Sequence, residues 1–439
     1  MDEAPAGERQ EGGTPTGGRH PGLVLLWVAS TAGAVGCGSD PAPPPPPPSS
    51  DLATCDLRQV ACQQAVYDAV QAARDGEAGT APPVRFITRE ELREQLMADV
   101  PEEEAVAVTV ALQLLGLIAT DSTVDGAMAE DAAEFIAAYY QPSTRSITFV
   151  EDAMADRDEG LYVMAHEMVH AAQDDEGALA EVWDGRTDTT DGELAGEHLI
   201  EGEATHYGFV ALARVLDGGA DDVDWDGLYG DWADDTAAFV AGAPNPFAAV
   251  GSLAYPVGAR LVAREWAQGD VAAVRALYQA HPRHTLGWMD GEGDATPEPL
   301  DCEPPLPPAG FEAAIDDVMG AEMLFAFLGA AGMPVDDAWQ EAQGWRNDRF
   351  AVYADPSSGT TAAAWRVRWA DEAQAAAFAA GVLGTAPPFG AIEADADGSE
   401  VLVVASDEPD LLDAWPASAC PAVPPASTAL RLPRAPRRE

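Results

Sequence analysis

The segment 163–170 places two histidines, His166 and His170, four residues apart, with Glu167 directly after the first. On a helix, residues i and i+4 lie on one face, so the two imidazoles could bind one zinc ion together. The carboxylate of Glu167 would then reach the open coordination position, where a water molecule would lie. Because most other residues of the segment are apolar, the pattern predicts a largely buried helix over 157–176. This is the pattern of a hydrolytic zinc site.

A catalytic zinc ion takes three protein ligands, and the segment 192–207 offers the third. It follows a polar loop and predicts a second helix, over 192–215, that packs on the first. Glu201, 31 residues after His170, is the ligand that we expect, because the small Gly202 beside it allows close helix approach. The alternatives on the same segment are Glu203, Glu197 and His198. A bare HExxH pattern also occurs by chance, so a core helix with two hydrogen-bonded histidines is the alternative to a metal site.

These two segments resemble the gluzincin metallopeptidases, in which an HExxH helix is followed by a second helix that donates a glutamate. The runs 165–174 and 199–205 are similar to a family of largely uncharacterised bacterial secreted or lipoprotein zinc peptidases. Shorter matches to that family lie at 139–142, 147–150, 255–260, 281–285 and 344–349. The resemblance implies a zincin-like fold, a Zn²⁺ cofactor, and hydrolysis of peptide or protein substrates by a zinc-bound water with Glu167 as general base.

The same resemblance implies a second catalytic residue, Tyr255, because the family carries a tyrosine at the matching position. Its hydroxyl would stabilise the oxyanion that forms during hydrolysis. Three other side chains are alternatives for this role: Tyr207, His206 and His284. A strand predicted over 145–150 precedes the zinc helix, and by analogy with gluzincins it would be an edge strand that pairs with extended substrate. An ordinary core strand is the alternative.

Two other functions use the same residues: a catalytically inactive zinc-binding surface lipoprotein, and a zinc hydrolase that acts on something other than peptides. The intact set of two histidines and two glutamates favours the peptidase, because an inactive protein has no chemical need for Glu167. A further metal pattern begins at Asp222, where alternating carboxylates up to Gly227 match the opening of a calcium loop. Ala233 stands where the closing glutamate belongs, so we interpret this run as a chance acidic match.

Charge and composition limit the partners of the chain. Its 439 residues include 75 acidic and 23 basic residues, a formal net charge of −52. Such a charge repels nucleic acid, which we do not expect as a partner. With 47% hydrophobic residues the chain is able to bury a substantial core. The residues do not determine an oligomeric state.

The first residues predict export. Residues 1–37 resemble a bacterial lipoprotein signal, with a short apolar stretch that ends at Cys37, whose thiol would carry the lipid. The proline-rich segment 38–52 would be a stiff tether. We therefore expect a membrane-anchored lipoprotein of the bacterial cell envelope, in the periplasm or on the outer surface. The remaining cysteines are expected to form disulfides in an exported chain, and the favoured pairs are Cys55 with Cys62 and Cys302 with Cys420.

The periodicity predicts an α+β fold, mostly helical, with a small strand-containing C-terminal region. The expected divisions are a catalytic domain over 53–290, a linker over 291–310, an α+β C-terminal region over 311–415 and a tail over 416–439. Besides the two zinc helices, helices are predicted over 53–75, 89–118, 257–268, 311–331 and 335–344. Strands are predicted over 83–87, 350–353, 363–367 and 401–404.

Overall fold

The computed structural model describes seven stretches of the chain, namely residues 52–99, 106–185, 189–217, 219–291, 297–302, 310–383 and 387–415. The predicted signal with Cys37, and the tail with Cys420, lie outside these residues. The described residues form a mixed α+β structure that is mostly helical and contains two small sheets, which confirms the predicted fold class at that level. None of the described helices is long and apolar enough to cross a membrane.

The described helices are α1 (Val60–Ala73), α2 (Arg89–Asp99), α3 (Val106–Leu114), α4 (Val124–Phe135), α5 (Arg157–Asp175), α6 (Ala178–Gly185), α7 (Thr190–Leu212), α8 (Trp225–Gly242), α9 (Pro246–Ala249), α10 (Ala254–Ala280), α11 (Thr285–Asp290), α12 (Gly320–Ala330), α13 (Val335–Ala342), α14 (Glu372–Leu383) and α15 (Asp410–Ala414). The described strands are β1 (Val84–Ile87), β2 (Ala138–Gln141), β3 (Ser146–Val150), β4 (Glu312–Asp317), β5 (Trp345–Ala354), β6 (Thr361–Trp369), β7 (Ala391–Asp397) and β8 (Glu400–Ser406).

The smaller sheet has the strand order β1-β3-β2. β3 is its central strand, parallel to β1 and antiparallel to β2. Ile147, Phe149 and Val150 of β3 are fully buried, because a central strand covered on its faces favours apolar and β-branched residues. The prediction that 145–150 is an edge strand is therefore wrong, and the core-strand alternative describes it. The edge strand beside α5 is β2.

The larger sheet, in the order β4-β5-β6-β8-β7, is antiparallel throughout. On one face Trp365 of β6 packs edge-on against Phe327 of α12. On the other face Ala364, Leu402 and Trp415 belong to one buried cluster beside α15. Because both faces are covered, nearly every residue of β6 and β8 is buried.

Three predicted helices differ from the observed elements. The predicted helix 311–331 is β4 followed by α12, because β4 pairs with β5 and Gly320 has a φ of 84°, a left-handed conformation that breaks a helix. The predicted helix 89–118 comprises α2 and α3, and residues 100–105 between them lie outside the described part. The helix predicted over 53–75 begins at Val60.

Two glycines bring α7 and α10 into direct contact. A Cβ atom added to Gly202 would lie 2.3 Å from the backbone carbon of Gly258. A Cβ atom added to Gly258 would lie 2.1 Å from the backbone oxygen of His198. The helices therefore meet backbone to backbone. The close approach at Gly202 is to α10, whereas the sequence predicted it between α7 and α5. α5 packs against the same helix α7, so three long helices meet at the candidate site.

The C-terminal region contacts the beginning of α7. Thr190 donates two hydrogen bonds to the carboxylate of Asp317, from its backbone N–H at 2.9 Å and from its hydroxyl at 2.8 Å. The backbone N–H of Asp191 donates to the carbonyl of Val318 at 3.0 Å. These contacts satisfy N–H groups that have no partner inside a helix. The described residues before and after the predicted linker belong to one compact unit.

Candidate metal site

His166 and His170 lie on the buried face of α5, a helix that begins where Asp156 accepts hydrogen bonds from the backbone of Asp158 and Glu159. Nε2 of His166 and Nε2 of His170 are 3.1 Å apart. Oε2 of Glu201, on α7, lies 3.1 Å from the first nitrogen and 3.4 Å from the second. Two helices thus bring three ligand atoms to one point, each close to the other two.

These distances fit a single metal ion. Tetrahedral ligands about 2.0–2.1 Å from a zinc ion lie roughly 3.3 Å from one another. His166, His170 and Glu201 have ligand atoms close enough to share one ion, and we call them the metal group. Within the described residues, no other set of three or more histidine, cysteine, aspartate or glutamate side chains meets this condition. The donor set of two imidazoles and a carboxylate suits zinc and leaves a fourth position for water or substrate.

The charges of these side chains shift one another's pKa values. Burial lowers the pKa of His170, but the charge of Glu201 and its hydrogen bond outweigh this and raise that pKa to about 9. Burial conversely raises the pKa of Glu201, while the imidazole of His170 and the hydrogen bonds with both histidines lower it well below its usual range. The two helices therefore hold a carboxylate and an imidazole whose charges stabilise each other.

Glu167 is 6% exposed and lies beside the metal group. Its carboxylate accepts a hydrogen bond from the backbone N–H of Tyr140 in β2, and its Oε2 atom has no hydrogen-bond partner among the described residues. Burial raises the pKa of Glu167, and the imidazoles of His170 and His166 offset only part of that effect. A buried carboxylate oxygen without a partner is costly.

Tyr255, near the beginning of α10, stacks on the imidazole of His166 with ring centres 5.6 Å apart and an interplanar angle of 26°. Its side chain is 37% exposed, so the ring covers the histidine on the solvent side. The charge of Glu201 raises the pKa of Tyr255 well above its usual value, so the hydroxyl keeps its proton. Tyr255 is thus beside the metal group with a hydrogen-bond donor.

The other predicted ligand candidates on α7 have different partners. Glu203 forms a buried ion pair with Arg74 at 2.8 Å. His198 lies 2.8 Å from a carboxylate oxygen of Glu322. Burial and neighbouring carboxylates raise the pKa of Glu197 to about 8. None of these three candidates is a member of the metal group.

The other candidates for an oxyanion donor face away from the metal group. His206 and Tyr207 follow Glu201 by five and six residues on α7, at about 140° and 240° around the helix. His206 is packed among tryptophan and tyrosine rings. His284 contacts Asp191 at 2.6 Å, and Asp191 precedes Glu201 by ten residues, about 15 Å along α7. Among the predicted donors, Tyr255 contacts a candidate metal ligand, His166.

Two residues that sequence reasoning gave no role contribute to the site. Gln173 lies 2.8 Å from Nδ1 of His170, and Tyr140 donates its hydroxyl hydrogen to Asp174 at 2.6 Å. The sequence signal for Gln173 was its spacing, since a residue three positions after His170 lies on the same face of a helix. Tyr140 belongs to another element, so no spacing connects it to α5.

The remaining predicted sites are the disulfides and the calcium-like run. Cys55 and Cys62 are joined by a disulfide. Cys302 is also disulfide-bonded, and its predicted partner Cys420 lies outside the described residues. In the calcium-like run, Asp224 caps α8 and Asp226 pairs with two arginines, so these carboxylates are occupied within the protein.

Comparison with known proteins gives one match. A family described as a domain of unknown function (DUF8575) matches residues 311–415, from the start of the C-terminal region to the end of the described chain. No curated protein matches this chain, and no solved structure does. The matched residues contain none of the candidate metal ligands, which all lie on α5 and α7.

Proposed function

We propose that this protein is a zinc-dependent metallopeptidase whose metal ligands are His166, His170 and Glu201. The convergence of the three ligand atoms, each within 3.4 Å of the others, supports this most directly. Buried imidazoles and carboxylates need partners, and a shared zinc ion would satisfy all three at once. The same proposal includes a zincin-like fold, formed by α5, α7 and the small sheet.

The catalytic roles follow from the positions of the side chains. A bound zinc ion would polarise the scissile carbonyl and lower the pKa of water at its open position. Glu167 would accept the proton of the attacking water and later deliver it to the leaving amine. Tyr255 would donate a hydrogen bond to the oxyanion, because it lies against His166 and retains its proton.

A peptide substrate is favoured by the position of β2. Within the described residues β2 pairs only with β3, so it is an edge strand of the small sheet, beside which an extended chain could lie. Tyr140 holds β2 against α5, since its backbone N–H bonds Glu167 and its hydroxyl bonds Asp174. A peptide paired with β2 would therefore pass the general base. This edge favours a peptidase over a zinc hydrolase with a non-peptide substrate.

The proposal includes the location of the protein. We propose an exported chain anchored in a membrane by a lipid on Cys37, which lies outside the described residues. The disulfide between Cys55 and Cys62 agrees with an oxidising compartment. An inactive or non-peptidase zinc-binding lipoprotein is the alternative, and the unpartnered carboxylate oxygen of Glu167 favours the active enzyme.

Zinc content and hydrolysis measured on the same preparations test the proposal. The chain is purified without added metal, together with Glu201→Ala, Glu167→Gln and the control Glu130→Ala, an exposed glutamate on α4. We expect roughly one zinc ion per chain in the parent, Glu130→Ala and Glu167→Gln, and much less in Glu201→Ala. Glu167→Gln should retain the metal yet cleave a peptide library about 10²–10⁴ times more slowly.

Three results would contradict the proposal. A folded parent without zinc would remove the metal site, and the HExxH pattern would then be a chance match. A Glu167→Gln variant that cleaves as fast as the parent would exclude Glu167 as the general base. Zinc binding without cleavage of any peptide would leave the zinc-binding lipoprotein as the better description.

A further inference from the structure

Gln173 joins the metal group to a buried polar network. Its side chain is fully buried, and its Oε1 atom lies 2.8 Å from Nδ1 of His170. Its Nε2 atom lies 3.0 Å from the backbone oxygen of Ile200, 2.9 Å from Oε2 of Glu203 and 3.2 Å from the hydroxyl of Tyr278. One amide group thus contacts α5, α7 and α10.

These contacts determine which way the amide points. Its nitrogen faces a backbone carbonyl and the carboxylate of Glu203, which only accept hydrogen bonds. The reversed amide would place its oxygen against both of these oxygens and would leave acceptors without donors. The oxygen of Gln173 therefore faces His170. Since an amide oxygen only accepts, Nδ1 of His170 must carry the hydrogen.

We infer that Gln173 is a positioning residue for the metal site, which holds His170 as the Nδ1–H tautomer and leaves Nε2 free to bind the ion. The inference rests on the proposed zinc site. A neutral imidazole has one protonated nitrogen, so a donor at Nδ1 means a lone pair at Nε2. That Nε2 is the atom 3.1 Å from Nε2 of His166 and 3.4 Å from Glu201. The contact also restricts the rotation of the ring.

The network behind Gln173 makes its position rigid. Oε2 of Glu203 also accepts the hydroxyl hydrogen of Tyr278. Oε1 of Glu203 accepts from Arg74, the residue directly after α1, at 3.2 Å from Nε and 2.8 Å from Nη2. Arg74 reaches further to Glu176, at the end of α5. The charge of Glu203 is thus paired with Arg74, and residues of α5, α7 and α10 hold the glutamine that orients His170.

The two metal-binding histidines differ in this support. Nδ1 of His166 is buried and has no hydrogen-bond partner among the described residues. Packing against Tyr255 and Tyr162 holds the His166 ring instead. Within the described residues, Gln173 is therefore the side chain that orients a metal-binding imidazole by a hydrogen bond to its second nitrogen. Its loss should weaken the site more than the loss of another buried glutamine.

A pair of matched substitutions tests this role. Gln173→Met keeps an unbranched side chain of similar length but removes the acceptor for His170. The control is Gln113→Met, since Gln113 is also buried and its amide donates only to the backbone oxygens of Ala119, Thr120 and Ser122. The zinc dissociation constant is measured by chelator competition, and the visible spectrum of the Co²⁺-loaded protein reports the ligand geometry.

We expect Gln173→Met to bind zinc about 10–100 times more weakly than the parent and to shift the Co²⁺ bands. Gln113→Met should lower thermal stability while it keeps the parental zinc affinity and spectrum. Parental affinity in a folded Gln173→Met, or an equal loss in Gln113→Met, overturns the inference. A parent that binds no zinc overturns the proposed function itself, and the failures of the two proposals are thereby distinguished.

A second measurement does not depend on the folding of a variant. In the metal-free parent, at a pH above the raised pKa of His170 so that its imidazole is neutral, ¹⁵N chemical shifts report which nitrogen carries the hydrogen, and His170→Gln assigns the signal by its absence. We expect the Nδ1–H form for His170. The Nε2–H form would overturn the inference, even if the parent binds zinc.

Discussion

Gly202 and Gly258 meet where α7 crosses α10, so closely that a Cβ atom on the first would lie 2.3 Å from the backbone of the second. The crossing lies close to two residues of the candidate site, Glu201 and Tyr255. Glu201 precedes Gly202 on α7, and Tyr255 precedes Gly258 by three residues on α10. The spacing of these two helices therefore sets how far the metal ligand lies from the proposed oxyanion donor.

Substitution of Gly202 by alanine should disturb this crossing. The added methyl group meets backbone atoms that cannot rotate away, so α7 and α10 must separate. We expect a loss of roughly 1–3 kcal/mol in the free energy of unfolding. Zinc should bind more weakly because Glu201 moves with α7. Urea unfolding and chelator competition measure the two effects.

The control for this substitution is Gly381→Ala on α14. A Cβ atom at Gly381 meets nothing within 4 Å, and alanine is favoured over glycine in a helix by up to about 1 kcal/mol. Gly381→Ala should therefore be neutral or stabilising and should keep zinc. A Gly202→Ala variant that unfolds and binds zinc like Gly381→Ala would contradict the proposed importance of the crossing.

Tyr255→Phe should slow turnover without loss of zinc. The phenylalanine ring preserves the stacking on His166 but lacks the hydroxyl. If the hydroxyl stabilises the oxyanion, kcat should fall about 10²–10³ fold while the zinc content stays at the parental level. Steady-state kinetics on a cleaved peptide, with zinc analysis of the same sample, provide the measurement. An unchanged kcat would assign the oxyanion to another donor.

The buried pair of His198 and Glu322 connects α7 to the C-terminal region. Both side chains are fully buried, and Nε2 of His198 lies 2.8 Å from Oε1 of Glu322. Removal of one partner, as in His198→Leu, should destabilise the fold by about 3–5 kcal/mol, because Glu322 loses its counterpart. The double variant His198→Leu/Glu322→Met should be much less destabilised than the sum of the single variants. Chemical unfolding of all four proteins tests this, and additive effects would refute the coupling.

His206 should make stability depend on pH. Burial, with a smaller contribution from Arg214, lowers the pKa of His206 to about 3, whereas an unfolded histidine titrates at about 6.5. Between these values the unfolded chain binds a proton that the native protein excludes. The free energy of unfolding therefore decreases as the pH falls from 6.5 towards 3, by up to about 1.4 kcal/mol per pH unit.

The variant His206→Phe isolates this effect. Phenylalanine fits the aromatic surroundings of Trp225, Tyr229 and Trp266 and does not titrate. Between pH 7 and pH 5 the parent should lose about 2 kcal/mol more stability than the variant. Loss of the contact between His206 and the hydroxyl of Tyr229 lowers stability equally at both pH values, so it cancels from the difference. Identical pH dependence in the two proteins would contradict the buried neutral histidine.

Local spacing made part of the site predictable. His166, Glu167 and His170 lie on one short segment, so helical periodicity alone places both imidazoles on one face. Glu201 could be proposed as a ligand because a catalytic zinc site needs a third ligand, which the following helix offers. The mixed α+β class also followed from periodicity. These inferences need only residues that are neighbours on one element, or the chemistry of the metal.

Only the tertiary structure decided the rest. It showed that β2 forms the edge beside the zinc helix, that residues 312–317 are a strand, and that His284 lies at the other end of α7. It also showed Gln173 between His170 and Glu203. Each of these depends on partners from different elements, up to 93 residues apart for His284 and Asp191. Helical and strand periods carry no information about such pairs, because the packing of whole elements brings them together.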